Sequence, residues 1–413
     1  MLGFLSINSW ILAYAPDSRI GVWRKRRVSL RAERGEDDGG KLDRFVEWLE
    51  NGGVRCKNRV TVEQFSGVRG LGVLQDVQSD EELFRIPGDL LVNSREILRH
   101  PLFQDGESAP GHQILLGSWL LMEQQKGDQS AHHPYIDLLP GKDDFEAQGG
   151  PLEFWSEEEL AMLECPVALE LLQYRLNLLE NAYLRLQRQW PKVVAGPIPS
   201  FECFKVAVAV AYSRCFRSSQ GDEPLNMVFA PLTDMMNHDH PTNKNVRAFF
   251  NEAGEMVAES TQHRSAGEQL LITYGELPNL HLLQSNGFTM SENSYDFAVV
   301  DAQRLLSMIP ETNLQFLLEK SLLLPDPEGK VSRWQPVSKR LEKAIALYAS
   351  SESNFLQQMV EDTLSTFTTG YGEDRQLLET LESQGDLDGA SMRSLHAARI
   401  RFQQKRDLLK ILN

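Results

Sequence analysis

The sequence predicts an α+β fold in which a β-rich unit is split by a helical insertion and followed by an all-helical C-terminal domain. Three observations lead there. Short β-type apolar runs fall in two blocks, at about residues 59–87 and 225–300; residues 110–218, between them, carry apolar positions at helical spacing; and from about residue 302 the chain is helical in pattern and charged.

Taken in order, "KLDRFVEWLENGG" (41–53) has apolar residues three and four apart and ends on the glycines that stop helices, so it reads as a helix after the linker "RGEDDGG" (34–40). The runs "RVTVEQF", "GLGVLQ" and "ELFRIP" are strands parted by Gly and acidic turns. "HQILLGSWLLMEQQ", a long pattern from about Ser156 to Gln189, and "SFECFKVAVAVAYSRCF" make the helical insertion. "NVRAFFN", "EMVAES", "EQLLITY" and "YDFAVV" return to strands, with "LPNLHLLQSNG" a short helix among them.

Composition bounds the function classes. A chain of 413 residues with 41% hydrophobic and 24% charged residues is long enough for two or three domains with a sizeable core. Its formal charge of −16 argues against a nucleic-acid partner, because phosphate backbones are gripped by clustered Lys and Arg, and it suits a basic partner instead. No apolar run reaches the roughly 18 residues of a membrane span, so no membrane partner is expected. Cys56, Cys165, Cys203 and Cys215 contain no C-x-x-C pair and read as reduced thiols. Residues 1–32 differ in kind: Arg19, Arg24, Lys25, Arg26, Arg27 and Arg31 stand against the single acid Asp17, the pattern of an organelle transit peptide or a disordered arm.

The densest polar cluster is "PLTDMMNHDHPTN" (231–243). His238 and His240 with a neighbouring Asp could start a metal site, but no third and fourth ligand is nominated, and no metal is expected. A serine hydrolase lacks its G-x-S-x-G elbow. Gly70 and Gly72 remove side-chain bulk, so backbone around Leu71 can approach a ligand, although a lone "GLG" also suits a hairpin bulge. Arg214 follows the apolar helix "VAVAVAY" and needs an acidic partner, in a structural ion pair or on a ligand carboxylate. Tyr274 closes a strand, where a core aromatic with a satisfied hydroxyl is the ordinary reading.

"GVRGLGVLQDVQSDEELFRIP" (67–87), "AYSRCF" (211–216), "PLTDMMNHD" (231–239) and "GEQLLITYGELPNLHLLQSNGF" (267–288), in that order, resemble the SET-domain protein methyltransferases, and most nearly the group of the plant Rubisco large-subunit lysine methyltransferase. "HHPYIDLLPG" (132–141) and "FWSEEELAML" (154–163) fit the same group. The resemblance implies a knotted SET catalytic domain over about residues 41–300, with its helical insertion at about 110–210, and a helical substrate-binding domain over 301–413. It implies S-adenosylmethionine as cofactor and a protein lysine as target. Tyr274 is then the catalytic residue; Arg69, Leu71, Arg214, Asn237, His238 and Phe288 hold the cofactor; Ser213 and Asp234 lie at the substrate side; Asp239 and His240 form an exposed turn beyond. Two positions depart from the related pattern, Arg69 where an acid stands and Asn286 where Tyr is frequent. Related proteins include an actin-histidine methyltransferase, so a histidine target is the alternative, as is a SET-like protein that binds without turnover. A transit peptide would send the chain to the chloroplast, with Rubisco large subunit or another plastid protein as partner; without one the location is cytoplasmic or nuclear.

Overall fold

The computed structural model describes residues 36–56, 59–218, 226–326, 329–349, 354–385 and 387–412. The transit-peptide segment lies outside the described residues. Packing divides the described chain into two units: one takes in the residues up to Lys142 with Leu178–Glu276, the other Asp143–Asn177 with the residues from Leu277 onward.

The first unit opens with helix α1 (Glu36–Asn51) and the hairpin β1 (Val60–Phe65) and β2 (Val68–Val73). Ser66 and Gly67 both take positive φ, 51° and 81°, the two-residue turn whose twist matches paired strands. Strands β3 (Glu82–Ile86) and β4 (Val92–Asn93) follow, then α2 (His112–Lys126). The long helix α3 (Pro166–Val193) enters the unit at Leu178, and α4 (Phe201–Arg214) starts at Ser200, whose hydroxyl accepts from the Cys203 amide. Six short strands complete it: β5 (Cys215–Ser218), β6 (Asn226–Phe229), β7 (Asn237–His238), β8 (Val246–Phe250), β9 (Met256–Ser260) and β10 (Gln269–Ile272). They form three small sheets, ordered β1-β2-β10-β7, β3-β9-β8 and β4-β6-β5. Helices α2 and α4 pack at Gly117, where an added Cβ would stand 2.6 Å from a Val208 methyl and 2.8 Å from its Cα.

The second unit holds the short helix α5 (Asn279–Asn286), the ribbon β11 (Val299–Asp301) with β12 (Trp334–Pro336), and among its C-terminal helices α6 (Tyr371–Ser383) and α7 (Gly389–Leu412). Apolar side chains from Leu152 to Leu172 pack with Leu283, Phe297, Val299, Trp334, Ala397 and Ile400. Asp374 of α6 is buried between Arg401 (2.8 Å) and Lys405 (2.6 Å) of α7. A carboxylate taken out of water needs such partners.

Three elements differ from the sequence expectation. The linker 34–40 is helical from Glu36, continuous with the apolar pattern that begins at Leu42. The single helix expected from Ser156 is two: Glu157–Ala161, held by a Ser156/Glu159 capping box, and α3, which begins at Pro166 after Glu164 turns to φ 45°. The region after residue 302 is helical except for β12, three residues that are too few to show an alternating pattern.

Gly117→Ala should lower stability by about 1–3 kcal/mol, since the Val208 backbone cannot give way. Gly88→Ala, where nothing lies within 4 Å of an added Cβ, should stay within about 0.5 kcal/mol of the wild type. Thermal melting of the two variants checks the pair.

Candidate functional site

The site grows from one chain crossing in the first unit. Strand β10 pairs antiparallel with β2 (Gln269 with Gly72, Leu270 with Leu71) and parallel with β7 (Leu271 with Asn237, Ile272 with His238). The Asp239 amide extends the parallel contact to the Ile272 carbonyl at 2.9 Å. A two-residue parallel pair supplies few ladder hydrogen bonds, and a side chain supplies the rest. Asn245, 1% exposed, accepts from the Leu271 amide (2.9 Å) and donates to the Gln269 carbonyl (3.0 Å), while its own amide reaches the Leu271 carbonyl (3.0 Å).

Gly70 is needed at this crossing for space. A Cβ there would lie 2.6 Å from Gln269 Nε2 and 2.7 Å from Asn237 Nδ2, and that Asn237 amide donates to the Arg69 carbonyl at 3.0 Å. The Arg69 guanidinium turns away to the Leu138 carbonyl (2.5 Å), and the Leu71 side chain is wholly buried in the core. At Gly70 the backbone of this strand carries no side chain of its own.

Tyr274 follows β10, two residues beyond the parallel pair. Its amide donates to His238 Nδ1 (3.0 Å), its hydroxyl to the Met236 carbonyl (3.0 Å), and the two rings stand 5.0 Å apart. Since Nδ1 accepts, the imidazole is neutral, and burial lowers its pKa to about 4 in agreement. Burial pushes the Tyr274 hydroxyl up to about 12, against the pull of the Arg214 charge.

Asp234 sits in the turn Thr233–Met235, entered through Leu232 at φ 71°, a backbone conformation that surrounding structure must enforce. Its carboxylate Oδ2 accepts from the Tyr135 hydroxyl at 2.5 Å, and its main-chain carbonyl accepts from Arg214 at 2.7 Å. Burial pushes the Asp234 carboxyl up to about 6; Arg214, the Tyr135 hydroxyl and Arg69 oppose that rise. Three buried atoms here have no hydrogen-bond partner among the described residues, Thr233 Oγ1, Asp234 Oδ1 and Arg214 Nε.

One neighbourhood of the first unit thus gathers Arg69, Leu71, Arg214, Asp234, Asn237, His238 and Tyr274. Ser213, one residue before Arg214, gives its hydroxyl to the Val210 carbonyl (3.1 Å). Phe288 belongs to the second unit, directly after Gly287, whose φ is 79°. Asp239 and His240 are half-buried, not exposed: the Asp239 carboxylate accepts from the His240 amide (2.7 Å) and from Asn243 (3.2 Å), closing the turn. Among the described residues no three His, Cys, Asp or Glu side chains converge on one point. Sequence reading missed two residues. Tyr135 stood inside the quoted "HHPYIDLLPG" with nothing to mark it, and Asn245 stood at the end of "NKN", where Asn reads as a turn residue.

Asn245→Ala should cost about 1–3 kcal/mol, because it strips partners from a half-buried amide and a half-buried carbonyl at once; a shifted denaturant midpoint is the readout. Stability against pH should register two opposed groups. Between about pH 4 and 6 the native Asp234 binds more protons than its unfolded counterpart, so its contribution falls as pH rises. Between about pH 4 and 6.5 His238 binds fewer in the native state, so its contribution grows. Asp234→Asn should therefore gain on the wild type by up to about 3 kcal/mol across that window, and His238→Gln should lose ground, both read from melting temperatures.

No family model matches the chain. It is 27% identical over 268 residues to the N-lysine methyltransferase setd6 of Danio rerio, a match covering 60% of this chain and 56% of that protein. It is 25% identical over 316 residues to the chloroplastic [Fructose-bisphosphate aldolase]-lysine N-methyltransferase of Arabidopsis thaliana, covering 72% and 62%. The chain thus spans little more than half the length of these curated relatives. Among solved structures it is similar to the SET domain of LSMT bound to lysine and AdoHcy, with a TM-score of 0.65 and 20% identity over 90% of each chain. The chain has the SET-domain fold of LSMT, and its sequence resembles those of the N-lysine methyltransferases.

Proposed function

We propose that the chain is an S-adenosylmethionine-dependent protein-lysine N-methyltransferase. The observation that carries this reading is the β7–β10 crossing, which brings Asn237, His238 and Tyr274 together in the order that the resembling sequences carry them. The names of the relatives support a lysine target, and the AdoHcy and lysine bound to LSMT support the same cofactor and substrate pair.

The residues present fit that cofactor. Arg214 has a buried, unpartnered Nε, which suits the cofactor carboxylate, and the Gly70 position leaves the β2 backbone bare. In this reading Asn237 and His238 hold the amino-acid end, and Arg69 and Leu71 flank it through their backbone. S-adenosylmethionine supplies the methyl group of its sulfonium. Tyr274 stays protonated at neutral pH and commits that proton to the Met236 carbonyl, so its oxygen acts as an acceptor that orients the substrate amine. A lysine amine, with a free pKa of about 10.4, must be neutral to attack, and an apolar channel favours the neutral form. Ser213 and Asp234 face the substrate side. Residues 41–300 form the catalytic domain with its insertion at 110–210, and residues 301–413 dock the protein substrate.

The basic, acid-poor residues 1–32 and the chloroplastic relative support a plastid location, with Rubisco large subunit or another plastid protein as the substrate; the alternative is a cytoplasmic or nuclear location, since an animal relative has no plastid. A fluorescent fusion of residues 1–40 separates these.

Incubating the purified chain and its Tyr274→Phe variant with labelled S-adenosylmethionine and a whole-cell extract tests the activity. Label should appear on a lysine, located by mass spectrometry, and fall by about 10²-fold or more in the variant. Label on histidine would correct the nucleophile while keeping the fold reading. Cofactor binding by calorimetry without label would favour a binding protein, and neither binding nor label would overturn the proposal.

A further inference from the structure

Resting on that reading, we propose that Tyr135 is a positioning residue for the reaction: it holds the Asp234 carboxylate by one oxygen so that the other is presented to the substrate amine. Tyr135 is fully buried, and its hydroxyl meets Asp234 Oδ2 at 2.5 Å. Three rings fix its direction. Phe45 and Trp48 of α1 stack near it at 6.3 and 6.5 Å between centroids, and Phe229 of β6 meets it edge-on at 6.4 Å. A fully buried ring packed among three others is held firmly, and a positioning group needs that rigidity.

The second oxygen is the informative one. Asp234 is 6% exposed, yet its Oδ1 has no hydrogen-bond partner among the described residues. A lone buried acceptor costs about 1–3 kcal/mol, so a carboxylate kept only for stability would be expected to satisfy both oxygens. The nearby cations do not supply the missing donor: Arg214 of α4 gives Nη1 to the Asp234 carbonyl, and Arg69 of β2 gives Nη2 to the Leu138 carbonyl. Tyr274, after β10, feels the Asp234 charge, and Cys215 beside Tyr135 is pushed up to about 12 and stays neutral. The ligand chemistry that fits Oδ1 is an N–H donor, such as an amine supplies.

Because the Tyr135 hydroxyl donates to the charged form of Asp234, removing it must make that carboxylate harder to keep ionised. Initial rates of label transfer from S-adenosylmethionine into a whole-cell extract are measured against pH for the full chain, Tyr135→Phe and Trp48→Leu, with melting curves and calorimetric S-adenosylmethionine binding for each. Trp48 is half-buried at the edge of the ring stack and serves if Tyr135→Phe does not fold. For Tyr135→Phe, the acid limb should move up by about one pH unit, giving a rate about five-fold below wild type at pH 6 and near parity by about pH 8.5. Trp48→Leu should move it less, in the same direction, and cofactor binding should hold in both. Acid limbs that coincide with the wild type's overturn the inference alone. A wild type that neither binds cofactor nor transfers label overturns the methyltransferase reading, and this inference with it.

Discussion

The first unit depends on the way Asn245 holds β10. A strand threaded between β2 and β7 has only two paired residues on each side, antiparallel with β2 and parallel with β7. Backbone groups buried there must find partners, and a single amide side chain, nearly inaccessible to water, satisfies one donor and one acceptor of β10. The chain beyond β10 inherits that order. Tyr274 is two residues past the pair, so the direction of its ring is set by where β10 ends, by the His238 acceptor for its amide and by the Met236 acceptor for its hydroxyl. Both of those acceptors come from the segment that crosses β10, which makes the crossing and the tyrosine one structural unit.

Neutral His238 is a requirement of this geometry. An imidazolium would carry a proton on Nδ1 and turn the acceptor for the Tyr274 amide into a second donor. Burial prevents that above about pH 4, so the tyrosine stays anchored over the neutral range. The same dry surroundings that hold His238 neutral also keep the Tyr274 hydroxyl protonated, and one physical cause serves both groups.

Much of the fold could be read from local patterns, because alternation and helical spacing are local signals. The hairpin β1–β2 was marked by its Gly-rich turn, and α4 by its apolar run after Ser200. What escaped was settled by contacts distant in sequence or by competition between local signals. Tyr135 matters through a hydrogen bond to a residue 99 positions away, and Asn245 through one 26 positions away. No window on the sequence spans either. The break before α3 combines a proline at the helix start with a positive-φ glutamate, and that glutamate gives no compositional warning. The clustering of Arg214, Asp234, Asn237, His238 and Tyr274 was legible only because their motifs resemble those of a known family; spacing alone leaves them as a core arginine, a turn and an aromatic.

The tension inside the site lies between dryness and charge. Methyl transfer to an amine favours an apolar channel, since desolvation keeps the amine neutral, but the same desolvation raises the free energy of the Asp234 carboxylate. A carboxyl driven only by burial would be protonated at neutral pH and would offer a competing proton where a lone-pair acceptor is needed. The fold counters with three groups from three elements, the Tyr135 hydroxyl, the Arg214 charge and the Arg69 charge, and the balance falls near pH 6. Above that value Asp234 is an anion with one oxygen committed to Tyr135. On the proposed reading, an incoming ammonium would be drawn to this charge, and desolvation would then favour the neutral amine. In that reading, attraction of the cation and reaction of the base are opposite demands on one site, and a carboxylate poised just below neutrality serves the first without abolishing the second.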